Sequence, residues 1–432
     1  MPKATSANVI IGNSAAAVAA VEAIRKTGNT EPIVLISDEP HPPYSRPLIS
    51  ELLAGQVKSP RMLYRPENFY EKNNVEALLG VRAESIDVAK KSVKLSTGKK
   101  VAYKNLLLAT GSRPLVPPME GLELKRVFTF MRWQEAEELI DAAGRIRHAV
   151  VIGGGLIGLK AAEALRHIGV EVTLLDLAPR ILPMAADPTA SAMIEQHLRD
   201  EAGIQIITGN TVTKIEGDER GFVKGVTLKS GEYLKTEMVV VAIGVRPNTQ
   251  LAEGTEIVVR RGFPVDNHMQ TNVPHIYAAG DVAEGYDLVT GENRLLPIWP
   301  VAFRQGAIAG LNMAGKATEY EGYFAMNSIE LFNLPLISMG RLEAPDEPGY
   351  ETLTRSEGGV YRKIILKDGV IVGALYLKNI DRVGIIGGMI RDKYNVADFK
   401  EELLKDDFGW LSTPEDYRAD LRAKHRCNCG KH

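Results

Sequence analysis

An α/β fold, two nucleotide-binding units of parallel strands followed by a small C-terminal α+β domain, is predicted by three features of this 432-residue chain. A glycine turn between an apolar strand and a helix occurs twice. Each copy closes on the same apolar exit phrase, roughly ninety to a hundred residues after its own turn. From about residue 320 the pattern changes to short strands and tight turns.

In the first copy, the apolar run from Asn8 to Ile11 enters Gly12-Asn13-Ser14-Ala15-Ala16-Ala17 and then an alanine-rich helix that ends near Gly28. In the second, the strand His148 to Ile152 enters Gly153-Gly154-Gly155-Leu156-Ile157-Gly158, and a helix to His167 and a strand to Leu175 follow. A pyrophosphate requires a tight turn, a backbone without side chains where it approaches, and a helix N-terminus aimed at its charge. Gly153, Gly155 and Gly158 supply all three. Ser14 stands where the first copy should have its close-approach glycine, with a hydroxyl that can donate to a phosphate, and Ala17 takes the helix-packing position. Asp176, at the end of the next strand, accepts hydrogen bonds from ribose hydroxyls and repels a 2′-phosphate, which favours NADH over NADPH, although Arg180 nearby tempers that preference.

One glycine turn alone is weak, because units without nucleotides also use it. The matched exits strengthen it. Leu106-Leu107-Leu108-Ala109-Thr110-Gly111-Ser112-Arg113-Pro114 and Val239-Val240-Val241-Ala242-Ile243-Gly244-Val245-Arg246-Pro247 indicate an internal duplication of a Rossmann-like dinucleotide-binding domain. The strand that ends in Ile276-Tyr277-Ala278-Ala279-Gly280-Asp281 returns the chain to the first unit, and its Gly-Asp ending belongs beside a flavin. The cofactors expected are FAD in the first unit and NAD(H) in the second.

A net charge of −2 argues against a nucleic-acid binder, and an apolar content of 45% is ample for separate cores. The longest apolar runs are far too short to insert in a membrane and suit buried parallel strands. No secretory signal pattern precedes the first strand, so a cytoplasmic location is expected. Both cysteines, Cys427 and Cys429, lie in the last six residues, so no disulfide framework supports the fold. With His425 and His432 they resemble a zinc ligand set, but structural zinc sites separate their ligand pairs by a loop; a mobile tail is expected and no metal site, with a swinging dithiol that shuttles electrons or a contact with a partner's cluster as the alternatives.

Prolines 114, 117 and 118 mark the end of the first unit. The expected organisation is an FAD-binding domain over 1–118 and 246–319, an NAD-binding domain over 119–245, a C-terminal α+β interface domain over 320–410, and a tail over 411–432. An amphipathic helix from Trp133 to Ala143 opens the second unit. Tyr361 to Leu366, the turn Lys367-Asp368-Gly369, and Val370 to Leu377 form a hairpin, with Met326, Met339 and Met389 in the core of the third domain.

Over about residues 8 to 315 the chain resembles the FAD-dependent pyridine nucleotide-disulfide oxidoreductase superfamily. Pro43-Tyr44-Ser45-Arg46-Pro47-Leu48-Ile49-Ser50 resembles the segment of its ferredoxin and rubredoxin reductases and of the nitrite reductase large subunits, where disulfide reductases place cysteine. The resemblance implies that Gly12, Ser14 and Ala15 touch the FAD pyrophosphate, that Asp38 or Glu39 holds the adenosine ribose, and that Arg46 faces a phosphate. It implies further that the Ala83 backbone meets the adenine and that Asp281 binds the ribityl chain or a flavin phosphate. The segment Pro297 to Gly306, with Trp299 and Ala302, would aim a helix N-terminus at the flavin and stabilise its reduced anion. In two places the chain departs from its relatives: Glu51 stands where they carry lysine, and Lys160 where they carry glutamate. That pair normally flanks the flavin N5, so a pair with exchanged charges is expected. Arg132 stands about where the family has an arginine in the crossing between the units.

The expected function is FAD-dependent NAD(H) oxidoreduction, with hydride exchanged between NAD(H) and FAD and single electrons exchanged between FAD and an iron-sulfur or rubredoxin-type protein. Glu51 and Lys160 tune the flavin, and no general acid or base is needed. The absence of a thiol from the core takes disulfide and peroxide substrates off the leading list. An NADH oxidase reducing oxygen and a non-catalytic flavoprotein sensor are the alternatives. Both a homodimer and membership of a multi-subunit oxidoreductase stay open.

Overall fold

Parallel strands covered on both faces must be almost wholly apolar, and every residue of Ala7–Ile11 and of Ile33–Ser37 is buried. In the computed structural model, which describes residues 7–426, these strands pair with Ile10 opposite Leu35. The parallel order of the first sheet is Val75–Leu79, Ile33–Ser37, Ala7–Ile11, Lys100–Leu108 and Ile276–Ala278. A second parallel sheet runs Gln205–Thr208, Glu171–Asp176, His148–Ile152, Met238–Val241 and Val127–Thr129. Both place third, second, first and exit strand in that order. The fifth position is taken by a strand from downstream in one sheet and from upstream in the other.

Beyond each sheet the two exits meet. Ser112–Pro114 and Val245–Pro247 form an antiparallel ribbon with Arg113 opposite Arg246. Asn248 fastens it: the backbone N–H donates to the Gly111 carbonyl at 2.9 Å, and the side chain donates to the Thr110 carbonyl at 2.9 Å and accepts from Arg113 at 3.0 Å.

The helix Trp299–Met313 packs along Ala15–Lys26, and glycines set how closely. A Cβ on Gly306 would stand 2.1 Å from the Ala16 carbonyl oxygen, and one on Gly310 would stand 2.5 Å from that of Ala20. The two helices therefore touch backbone to backbone.

The chain forms two compact units, one of residues up to Ile181 with Arg199–Tyr323, the other of Leu182–Leu198 with residues from Phe324 on. In the second, an antiparallel sheet runs Met326–Leu331, Leu334–Gly340, Val370–Leu377, Val360–Lys367 and Tyr350–Glu357. Asp368 and Gly369 make the tight turn of its hairpin at φ 50° and 79°. Met339 and Met389 are buried, whereas Met326 is only half-buried. Residues 182–198, counted above with the NAD-binding domain, join this unit through Asp187. Its buried carboxylate accepts from the Tyr361 hydroxyl at 2.6 Å and from Lys363 at 2.9 Å.

The described part of the tail carries one further helix. Glu415–Arg426 is a helix, and Tyr417 docks it against Tyr394 with ring centroids 4.5 Å apart. One buried aromatic on a charged helix leaves no apolar period to detect. Cys427 and Cys429, with the metal question they raised, lie outside the described residues.

Gly306→Ala is expected to destabilise the protein by about 2–4 kcal/mol, because a rigid carbonyl stands in the way. Gly144→Ala, where a Cβ meets nothing within 4 Å, should change stability by less than about 0.5 kcal/mol. Urea unfolding of the two variants checks the contrast.

Candidate functional site

At the first turn, Gly12 has φ 127°, and a Cβ there would lie 2.1 Å from the Ala109 carbonyl oxygen. Turn and exit strand thus touch. Ser14 caps the helix Ala15–Lys26 from an extended conformation, and its hydroxyl makes no capping hydrogen bond. The Gly-Asp phrase sits next to this turn: a Cβ on Gly280 would lie 3.5 Å from both Ala16 and Ala302, and the Gly280 N–H donates to Gln305 at 2.9 Å. Trp299, half-buried in the first turn of its helix, packs edge-on against Tyr64 with centroids 4.9 Å apart. Two helix N-termini and the Asp281 carboxylate are therefore gathered past the carboxyl ends of the first sheet's strands, as a cofactor with a pyrophosphate and a polar ring requires.

Asp281 accepts from the Ser112 hydroxyl at 2.7 Å. Burial pushes its carboxyl above the usual carboxylate range, against the opposing pull of Ser112 and of the Arg46 charge. The exit phrase thus supplies a site residue, Ser112, that motif reading passed over; its place right after Thr110-Gly111 was the available signal.

The two ribose candidates have different surroundings. Glu39 is buried and accepts from the Tyr44 hydroxyl at 2.6 Å and from Arg46, whereas the more exposed Asp38 pairs with Arg132 at 3.1 Å. Arg46 also donates to the Met131 carbonyl at 3.1 Å, so at least two of its five donors are engaged within the protein. His41 stacks on Trp133 at 4.7 Å, and the Trp133 backbone N–H donates to the Tyr44 hydroxyl oxygen at 3.2 Å. Residues 38–46 are in this way fastened to the crossing at 131–133. Ala83 begins a strand just past Val81, whose N–H donates to the Ser37 carbonyl at 2.8 Å, so it lies by the carboxyl end of Ile33–Ser37.

At the second turn, a Cβ on Gly153 would stand 2.3 Å from the Ala242 carbonyl oxygen, and one on Gly158 would stand 1.9 Å from that of Gly153. At Gly155, the N-cap of Leu156–His167, a Cβ would meet nothing within 4 Å. Two glycines close the turn and the third leaves open space before a helix N-terminus, with Ile157 in the first helical turn, which fits an incoming pyrophosphate. Asp176 accepts from the N–H groups of Gly154 at 2.5 Å and of Ala178 at 2.7 Å, so it braces the turn as well as offering its remaining lone pairs. Gly244 takes φ 122° where the second exit leaves its strand.

Glu51, on the helix Ile49–Leu53, and Lys160, on Leu156–His167, come together at 3.8 Å. Lys160 is closer still to the buried Glu163, at 2.5 Å. Motif reading passed over Glu163, although its i,i+3 spacing from Lys160 was visible.

Residues 6–306 match the pyridine nucleotide-disulphide oxidoreductase family. The chain belongs to that family. FAD and NAD(H) are accordingly its cofactors, and the chain is an oxidoreductase. Residues 326–394 match the rubredoxin NAD+ reductase C-terminal domain. Among relatives, the chain is 30% identical to the epsilon subunit of an NADH-dependent phenylglyoxylate dehydrogenase from Aromatoleum evansii, over 88% of this chain and 90% of that one. It is also 30% identical to a nitrite reductase [NAD(P)H] of Bacillus subtilis, over 90% of this chain but only 48% of the relative, so it spans about half of that protein. A covalent putidaredoxin reductase–putidaredoxin complex superimposes with a TM-score of 0.83 at 26% identity, covering 91% of this chain and 94% of that one. Among the described residues no helix is long and apolar enough to cross a membrane, and no cluster of three or more His, Cys, Asp or Glu is placed to hold a metal ion.

Asp176→Ala should lower the preference for NADH over NADPH about tenfold, the worth of one charge-assisted hydrogen bond, which titration of both nucleotides measures. Asp281→Asn is expected to separate stability from binding. A carboxyl whose pKa is raised by folding holds its proton more tightly in the native state, so stability falls as pH rises from about 4 through the folded value. The apoprotein variant should therefore melt higher at pH 7 and lose that slope, while its FAD affinity drops about tenfold.

Proposed function

We propose that the chain, alone or as a subunit of a larger oxidoreductase, passes electrons between NAD(H) and an iron-sulfur or rubredoxin-type protein by way of FAD. The observation that carries this reading is the junction of the two nucleotide units. The helix that follows Ser45 and Pro47 packs on the helix of the second glycine turn, with Glu51 facing Lys160 at 3.8 Å, and no thiol occurs in that segment. A disulfide or peroxide substrate would need one. An acceptor that takes electrons singly needs only a close approach.

Bound FAD supplies a ring that takes a hydride from the nicotinamide and releases its electrons one at a time. The chain supplies position and field. Ser14 and the two helix N-termini would hold the phosphates and favour negative charge at the ring, Asp281 would fix the polyol or a phosphate, and Gly155 and Asp176 would hold the NAD(H). Glu51 and Lys160 tune the charge at that meeting point. The redoxin-type partner is supported by the rubredoxin reductase C-terminal match and by the solved complex with putidaredoxin; subunit membership is supported by the phenylglyoxylate dehydrogenase relative.

Anaerobic stopped-flow mixing with NADH should bleach the flavin absorbance within seconds, and a ferredoxin or rubredoxin should then reoxidise it faster than air does. Bleaching over minutes would favour the sensor. Oxygen uptake that accounts for all NADH consumed would favour an NADH oxidase.

A further inference from the structure

The two copies of the glycine turn are braced by different means. The Gly12 N–H donates to the Ile36 carbonyl at 2.8 Å and the Gly153 N–H to the Leu175 carbonyl at 2.7 Å, so Asn13 corresponds to Gly154 and Ser37 to Asp176. In the second copy one oxygen of Asp176 accepts from the Ala178 N–H, and the other reaches back to accept from the Gly154 N–H. The Ser37 hydroxyl repeats the first of these contacts, accepting from the Glu39 N–H at 3.2 Å, but it is too short to reach the turn as the carboxylate does. Asn13 reaches the opposite way. Its side-chain N–H donates to the His41 carbonyl at 3.0 Å, in the loop after Ile33–Ser37, and its oxygen accepts from the Tyr70 hydroxyl at 3.0 Å. Burial pushes the Tyr70 hydroxyl up to about 12, so it keeps the proton that it donates.

We propose that Asn13 is the positioning residue of the first turn: its carboxamide ties the turn to the loop of residues 38–46 and to Tyr70, doing there what Asp176 does in the second copy. The two solutions exclude one another. A Cβ on Gly154 would lie 3.1 Å from the Asp176 carboxylate, so a side chain in the turn and a carboxylate at the strand end crowd each other, and each copy has one without the other. In the second copy the brace is the same carboxylate that is proposed to hold the NAD(H) ribose. In the first the carboxylates of Asp38 and Glu39 turn instead to Arg132 and to Tyr44 and Arg46, and bracing falls to Asn13. The first turn thus keeps its shape without a nucleotide-binding carboxylate, as suits a cofactor that stays in place while the other exchanges. The brace stands on geometry; its functional half rests on the assignment of FAD to the first turn.

Thermal melts and amide hydrogen exchange of the apoprotein test the brace. Asn13→Ala and Asn13→Gly should each lower the midpoint and speed exchange in residues 38–46. Adding Ser37→Asp to Asn13→Gly should recover most of the loss, because the arrangement of the second copy is then rebuilt. Adding it to Asn13→Ala should not, since a Cβ remains in the way. Exchange in Asn13→Ala no faster than in the starting protein would overturn the brace, as would equal recovery in both double variants or recovery in neither. In binding titrations Asn13→Ala should raise the FAD dissociation constant about tenfold, on the order of one or two neutral hydrogen bonds, while that for NAD+ stays within about twofold. An unchanged FAD constant, or an NAD+ constant that moves as far, would overturn the functional half. If the starting protein takes up no FAD, the cofactor assignment fails instead, while the melts and the exchange still decide the brace.

Discussion

The backbone contact between Ala15–Lys26 and Trp299–Met313 is the constraint on which the rest of the first nucleotide unit depends. Side chains normally keep helix axes 8–10 Å apart. Gly306 and Gly310 remove them on one side, and Ala16 and Ala20 present the least possible bulk on the other. The two helices begin at distant points in the chain, yet their N-termini open beside the same strand ends, and Gly280 fits between Ala16 and Ala302. Two partial positive charges then open toward the same place. Without that approach Asp281 would lose its place relative to Ser14, and the site would come apart without any change to its own residues.

Much of this was legible because it is repetitive or apolar. Residues 7–11 and 148–152 are buried runs between turns, and a duplicated turn with a duplicated exit leaves few alternatives for sheet order. Gly153 and Gly158 were recognisable because the carbonyls they meet belong to the turn and exit strand themselves. The pairing of the exits, by contrast, was not predicted: each phrase reads as a strand leaving a sheet, and nothing local says that Arg113 finds Arg246.

What escaped sequence reading is mostly polar and long-range. Glu39 and Asp38 are neighbours, and only the fold shows that Tyr44 and Arg46 surround the first while Arg132 faces the second. Asp187 caps a helix, accepting from the Ala190 N–H at 2.9 Å. Its second oxygen, meeting Tyr361 and Lys363, carries residues 182–198 into the other compact unit. Tyr417 is one aromatic in a charged stretch, too little for a period and enough for a dock.

The ribbon of Ser112–Pro114 and Val245–Pro247 also bears on the history of the chain. The NAD-binding insert enters and leaves its host at adjacent points in space, so it behaves as a cassette. Excision would leave two host strands already side by side, and a different insert with closely spaced ends would fit the same socket. The two cofactor modules are thereby free to diverge in ligand preference while the splice that joins them stays the same.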